Sequence, residues 1–336
     1  MNGERIGLVG YSCNSGLGEL NRQVAKYIPQ ITKWLIKPNK GLGVAPIPDN
    51  IKRVDRFNSN FFKDIDTVLF FETQFYPNLA KQAKEAGKRV VCVPMLEWTP
   101  NWKKPNSDWV RFVDLFICPT QHCYETLQNE GYPVLGFSWP HDTERFKFVP
   151  SEYCHQFLFI EGNGGFQGRK GGSVVRRAKE LWPDMPLIVK TYRRSLWPKN
   201  TKMVDAGRDN LSLYGAGDVL LYPGKCDGIG LQPFEARVSG LPVIITEGRP
   251  WDEHPSMAKI NSSQSKMIVA KGRAMDWYEA DPRHLVEVCK SFLGKQVSEF
   301  ALIGRAWAEG NSWNNKGASL TQAIVSGERE EQLSLT

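Results

Sequence analysis

The stretch DVLLYPGKCDGIGLQPFEARVSGLPVI, residues 218–244, decides the fold. Val219–Tyr222 is a short apolar run with a β-branched start, and Pro223, Gly224, Gly228 and Gly230 end it in a loop. Pro233 suits the first position of a helix and Gly240 suits its stop, after which Pro242–Ile244 resumes a strand. Strand, loop, helix and strand in that order form a βαβ unit, which requires parallel neighbours and a covering helix layer. Asp227 and Glu235 flank the glycine loop and the start of the helix. With Pro233 at the first position, Glu235 falls in the first turn, where the helix dipole favours a carboxylate.

The same alternation extends in both directions. RIGLVGY, DTVLFF, KRVVCVPM and LFICPT precede it, FLFIEG and PLIVKTY lie closer, and PVIITEG closes the series. Amphipathic segments of helix length, such as ELNRQVAKYIPQITKWL, separate several of them. The series runs twice, with a seam at GFSWPHDTERFKFVPSEYCHQ, so the boundary is expected near residues 147–156. The expected class is α/β, with two Rossmann-like domains whose parallel sheets face a central cleft: residues 1–150, residues 151–325, and a polar tail at 326–336. The last helix is free to pack back on the N-terminal domain.

Composition bounds the function classes. A hydrophobic content of 41% and a charged content of 24% are those of a globular protein, and no apolar run approaches the roughly 18 residues a membrane helix needs. The opening MNGERIGLVGYSC lacks the sections of a signal peptide, so a cytoplasmic location is expected. The seven cysteines are scattered without CxxC spacing, as buried reduced thiols are. The net charge of +7 is spread over both halves of the chain, which suits anionic partners without specifying one. Neither the cysteines nor the five histidines have metal-ligand spacing, and no metal site or cofactor is expected. Asp64 and Asp66 form a DxD triplet immediately before a strand, where polar residues ending a loop are the simpler explanation.

Two glycine loops invite an anion. In YSCNSGLGELNRQ, Gly16 and Gly18 follow the first strand and precede a helix, although a tight turn capped by Ser15 explains the pattern equally well. In FLFIEGNGGFQGRKGGSVVRRAKEL, Arg169 and Lys170 sit just ahead of a helix N-terminus, where cations and backbone amides can converge on a diphosphate. A solvated basic loop is the alternative.

The opening stretch closely resembles the donor-binding signature of the retaining GT-B glycosyltransferases of family 4. In that family two acids, usually both glutamates, are separated by seven residues and followed by Ala, Gly-x-Pro and a strand. By position the resemblance implies that Asp227 contacts the transferred sugar and that Glu235 grips the ribose of a nucleotide-sugar such as a UDP- or GDP-sugar. It extends to Gly228, Ile229, Gly230 and Leu231 as donor-loop residues, to Arg169 and Lys170 at the donor phosphates, and to Gly16 and Gly18 as the N-terminal glycine loop. DLFICPTQHCYETL and WPHDTERFKFVP match further family segments in the right order. The chain departs from the family at Asp227, which is one methylene shorter than the usual glutamate, and at Asn163, which replaces an arginine. The family's N-terminal-domain histidine is also missing from VVCVPMLEW, where Glu97 is the acidic candidate for a catalytic role beside Asp227.

The resemblance implies retention of configuration without a metal. The acceptor is less legible. In LEWTPNWKKPNSDWVRF, Trp98 and Trp102 stand beside Lys103 and Lys104, a pattern that can stack an extruded base and hold its phosphates, stack on sugars, or belong to a core. Three functions remain open: a bacteriophage-type DNA glycosyltransferase acting on a 5-hydroxymethylpyrimidine, an enzyme of cell-surface or lipid-linked glycan synthesis, and an inactive sugar-nucleotide-binding protein.

Overall fold

The computed structural model describes residues 3–39, 43–100, 108–162, 165–205, 213–269 and 273–327. The chain divides into two compact units, one of Met1–Pro140, Ile268–Arg273 and Trp313–Thr336, the other of His141–Met267 and Ala274–Ser312.

Unit 1 is built on a seven-stranded sheet: β1 (Ile6–Gly10), β2 (Ile31–Ile36), β3 (Lys52–Val54), β4 (Thr67–Phe71), β5 (Arg89–Val93), β6 (Leu115–Cys118) and β7 (Val134–Gly136). Their spatial order is β3-β2-β1-β4-β5-β6-β7, and every pair is parallel. Unit 2 repeats the plan with β8 (Phe157–Gly162), β9 (Leu187–Thr191), β10 (Lys202–Val204), β11 (Val219–Tyr222), β12 (Val243–Thr246) and β13 (Ala258–Ile260), ordered β10-β9-β8-β11-β12-β13 and again all parallel. Both sheets are doubly wound, with the strand order reversing between β1 and β4 in one and between β8 and β11 in the other. A separate two-stranded sheet joins β14 (Ser262–Ile268) to β15 (Ala274–Ala280). The helices are α1 (Gly16–Tyr27), α2 (Leu79–Glu85), α3 (Gln121–Asn129), α4 (Gly172–Leu181), α5 (Leu231–Ser239), α6 (Pro282–Phe292), α7 (Ser298–Gly310) and α8 (Trp313–Ser326).

The central strands β1, β4, β5, β6, β8, β11 and β12 read as apolar runs buried nearly throughout, whereas the edge strands β3 and β10 are largely exposed. In unit 2 alternate residues serve opposite cores. Phe157, Phe159, Val219 and Leu221 join a cluster with α4 and α6, whereas Leu158, Ile160, Leu220 and Tyr222 join one with α5. That two-sided burial holds the C-terminal ends of β8 and β11 rigid, and those ends carry the loops of interest.

The division falls at Pro140/His141, ahead of the 150/151 expected from sequence. Phe146 explains the difference: it is buried in the α5-side core of unit 2, and the Val149 amide donates to Ser239 O at 3.0 Å. The last helix belongs to unit 1, where Trp313 stacks on Tyr27 at 5.2 Å and its Nε1 donates to Gln23 Oε1 at 3.1 Å. Residues 328–336 of the expected tail lie outside the described residues. All seven cysteines are buried free thiols. No described helix is long and apolar enough to cross a membrane.

Candidate functional site

In an open α/β sheet, ligands gather beyond the carboxyl ends of the strands where the order reverses. In unit 2 that point lies between β8, whose following loop carries Arg169 and Lys170, and β11, whose following loop carries Asp227–Gly230. The two loops are bound together. The Lys225 amide donates to Arg169 O at 2.7 Å, and Arg169 Nη1 donates to Cys226 O at 3.3 Å. Gly171, which caps α4 with φ +76°, comes so close that a Cβ there would lie 1.8 Å from Pro223 O.

Asp227 is turned inward. Its Oδ2 lies 2.8 Å from Arg169 Nη1 and accepts the Tyr222 hydroxyl, and its Oδ1 accepts the Gly228 amide at 2.9 Å. Burial opposes its ionisation, but Arg169, the Tyr222 phenol and Lys170 outweigh burial and hold the carboxyl below the usual aspartate value. Lys170 feels the opposite balance. Desolvation and Arg169 lower it to about 8, against the pull of Asp227, Glu235 and Glu161. Two half-buried cations side by side, next to the first amides of α4, form a corner that suits an incoming anion.

Glu235 is not placed as the sequence suggests. The helix begins at Leu231, two residues before Pro233, with Gly230 as a left-handed N-cap, so Glu235 is past the first turn and gains little from the helix dipole. A phenol holds it instead: the Tyr214 hydroxyl donates to Glu235 Oε2 at 2.6 Å. Tyr214 lies 21 positions upstream, just before β11, and no local pattern announces the pairing. Within the loop, Ile229 is buried, Leu231 is half-buried, and Gly230 has φ +78° beside the Trp251 ring.

The remaining predicted residues belong to unit 1. Ser15 caps α1 by accepting the Gly18 amide at 3.1 Å, and a Cβ on Gly18 would lie 2.1 Å from Cys13 O, so that glycine is required by packing against the chain alone. Gly16 is the first residue of α1. Glu97 and Trp98 lie in a short 3-10 turn beyond β5, Glu97 buried and Trp98 half-buried. The loop after β1 and the turn after β5 therefore share the carboxyl edge of one sheet, on either side of β4. Trp102, Lys103 and Lys104, and the substituted position Asn163, fall outside the described residues. Asp66 of the DxD triplet closes a loop by accepting the Arg5 amide at 2.8 Å. No group of three or more potential metal-ligating side chains occurs among the described residues.

No protein-family model matches the sequence, and neither does any curated protein. Solved structures do match in fold. The Anabaena protein HepE in complex with UDP and glucose superimposes with a TM-score of 0.68 at 12% identity, covering 96% of this chain and all of the other. Sucrose-phosphate synthase from Thermosynechococcus elongatus gives 0.67 at 11% identity over 97% of this chain, and the lipopolysaccharide outer core galactosyltransferase WaaB gives 0.62 at 14% over 96%, each matched over its full length. The architecture is the GT-B fold.

Proposed function

We propose that the protein is a glycosyltransferase that moves a sugar from a nucleoside diphosphate sugar to an acceptor hydroxyl. The observation that carries this reading is the convergence of Arg169, Lys170, Asp227 and Glu235 around the β8/β11 switch point. The fold shared with HepE, whose structures hold UDP and UDP-glucose, supports the same class of donor.

In this reading Glu235 binds the ribose and Asp227 the sugar hydroxyls. Arg169, Lys170 and the amides at the start of α4 stabilise the charge that grows on the diphosphate as the glycosidic C–O bond lengthens. The acceptor oxygen attacks the oxocarbenium-like carbon on the face the diphosphate leaves, and the departing phosphate oxygen takes the acceptor's proton. Configuration is thereby retained. The phosphate charge is met by side chains and amides, so the scheme uses no metal ion. Glu97, buried in the turn that follows β5, is the acidic candidate for a catalytic role that unit 1 offers.

For the acceptor we propose a 5-hydroxymethylpyrimidine in DNA, as in a bacteriophage DNA-modifying enzyme working in the cytoplasm. The diffuse charge of +7 and the Trp and Lys residues of segment 96–112 support it. A cell-surface or lipid-linked glycan is the second reading, favoured by the fold shared with a lipopolysaccharide galactosyltransferase.

The test is incubation with UDP-, GDP- and ADP-sugars and either hydroxymethylated duplex DNA or glycan acceptors, followed by mass analysis of nucleosides and glycans. A hexose mass on the modified base supports the DNA reading, and mass on a glycan supports the second. Loss of activity in Glu235→Ala ties transfer to this site. Absence of both transfer and donor hydrolysis with every donor leaves only the inactive binding protein.

A further inference from the structure

Glu161 is a buried acid to which the proposed reaction gives no task. It is the penultimate residue of β8 and is 2% exposed. Both of its oxygens are held. Oε2 accepts the Thr191 hydroxyl at 2.7 Å and Trp197 Nε1 at 2.9 Å, and Oε1 accepts Arg176 Nη1 at 3.0 Å. The three donors come from different places: Thr191 ends β9, Trp197 follows the 3-10 turn Arg194–Leu196, and Arg176 lies in the second turn of α4. The Thr191 oxygen in turn accepts the Arg193 amide at 2.8 Å, and the Arg176 guanidinium lies 5.4 Å from the Trp197 ring. The carboxylate also lies against Gly172, the first residue of α4, where a Cβ would collide with Oε1. One side chain thus ties the ends of β8 and β9 to the first two turns of α4.

That start is the part of α4 that the diphosphate corner uses. Lys170 and Gly171 directly precede Gly172, and Lys170 Nζ lies 3.9 Å from where a Cβ on Gly162 would stand, one residue beyond Glu161. A buried ion pair stabilises a fold little better than apolar packing of equal volume, so stability alone does not account for Glu161. Directional bonds add fixed position, and donors that stabilise developing charge must be held to within about 0.5 Å. We infer that Glu161 is a positioning residue, which anchors the first turns of α4 to the end of β9 and so holds the α4 amides where the diphosphate gathers charge. The inference rests on the proposed reading of the Arg169 and Lys170 corner as the diphosphate site.

The experiment uses whichever of UDP, GDP and ADP the wild type holds most tightly in isothermal titration calorimetry, and measures the matching nucleoside by displacement. Glu161→Gln keeps the length of the side chain but turns an amide nitrogen toward a donor. It is expected to weaken the diphosphate roughly tenfold, the scale of one hydrogen bond to a charged group. The nucleoside, which does not reach the corner, is expected to change by less than about twofold. The free diphosphate carries the charge that the leaving group acquires, so kcat is expected to fall about tenfold while donor KM stays within about threefold. Equal losses for diphosphate and nucleoside, or none for either, make Glu161 a residue of the core alone and overturn the inference. If no nucleotide binds the wild type, or if Lys170→Met binds the diphosphate as the wild type does, the reading of the corner fails first. Far-UV circular dichroism verifies the fold of each variant. Should Glu161→Gln not fold, Trp197→Phe keeps an aromatic ring in the core and removes one donor from Oε2. A loss of about threefold confined to the diphosphate is then expected, and its absence overturns the inference.

Discussion

Lys170 and Gly171 are neighbours in the chain and set different limits on the site. Gly171 combines φ +76° with a backbone oxygen where a side chain would begin, so Gly171→Ala is strained by torsion and by contact alike. It is expected to lower stability by at least about 2 kcal/mol, readable in urea unfolding. Lys170 sets a pH limit. Its pKa of about 8 lies below the ordinary lysine value because burial and Arg169 disfavour the ammonium form. A bound diphosphate restores negative charge and raises that pKa, so binding near pH 8 takes up a proton. Nucleotide affinity is accordingly expected to fall as the pH rises through 8 and to level off above the pKa of the complex. Calorimetry in buffers of different ionisation enthalpy counts the proton directly, and Lys170→Met is expected to abolish that uptake.

Helix α5 shows how far local rules carry. Its stop at Gly240, with φ +93°, follows from glycine's tolerance of the left-handed region. Its start does not follow, because none of the first N–H groups of a helix has an intrahelical acceptor and proline fits the third position as well as the first. That ambiguity misplaced Glu235 relative to the helix end, and the hydrogen bond it accepts from Tyr214 had no local signal either. The buried face of α5 holds a residue no pattern explains. Arg237 is 2% exposed, packs against Gly304 of α7, and lies 5.4 Å from the Trp307 ring. Its Nε donates to Pro255 O at 2.8 Å, but neither Nη has an acceptor among the described residues, and burial lowers its pKa to about 9. An uncompensated guanidinium in a core costs more than its contacts return, so Arg237→Met is expected to raise stability by about 1–3 kcal/mol in chemical unfolding.

At the scale of the whole molecule, the central strands of both sheets were legible because strands buried on both faces are written as continuous apolar runs, whereas β2 was hidden in the helix-length segment ELNRQVAKYIPQITKWL and the exposed edge strands β3 and β10 carry no such run. The path of the chain between the units was not legible either. Segment Ile268–Arg273 belongs to unit 1, where Arg273, 4% exposed, donates to Thr99 O at 2.6 Å and pairs through both terminal nitrogens with Glu130. A lone arginine beyond the polar strand SSQSKMI carries no signal of a partner 143 positions away. Arg273→Ala is expected to destabilise the protein by about 3 kcal/mol, since it leaves Glu130 and the carbonyls of Thr99 and Pro100 without its donors. Thermal unfolding of that variant and of Glu130→Gln measures the cost. The membership of α8 in unit 1 also bears on synthesis at the ribosome. Domains generally fold in the order they emerge, yet unit 1 lacks Trp313 against Tyr27 until the final helix has been translated, whereas His141–Ser312 is by then complete. The nascent chain is thus expected to finish its second half first, and any fragment cut at the middle would leave the first half without its closing helix.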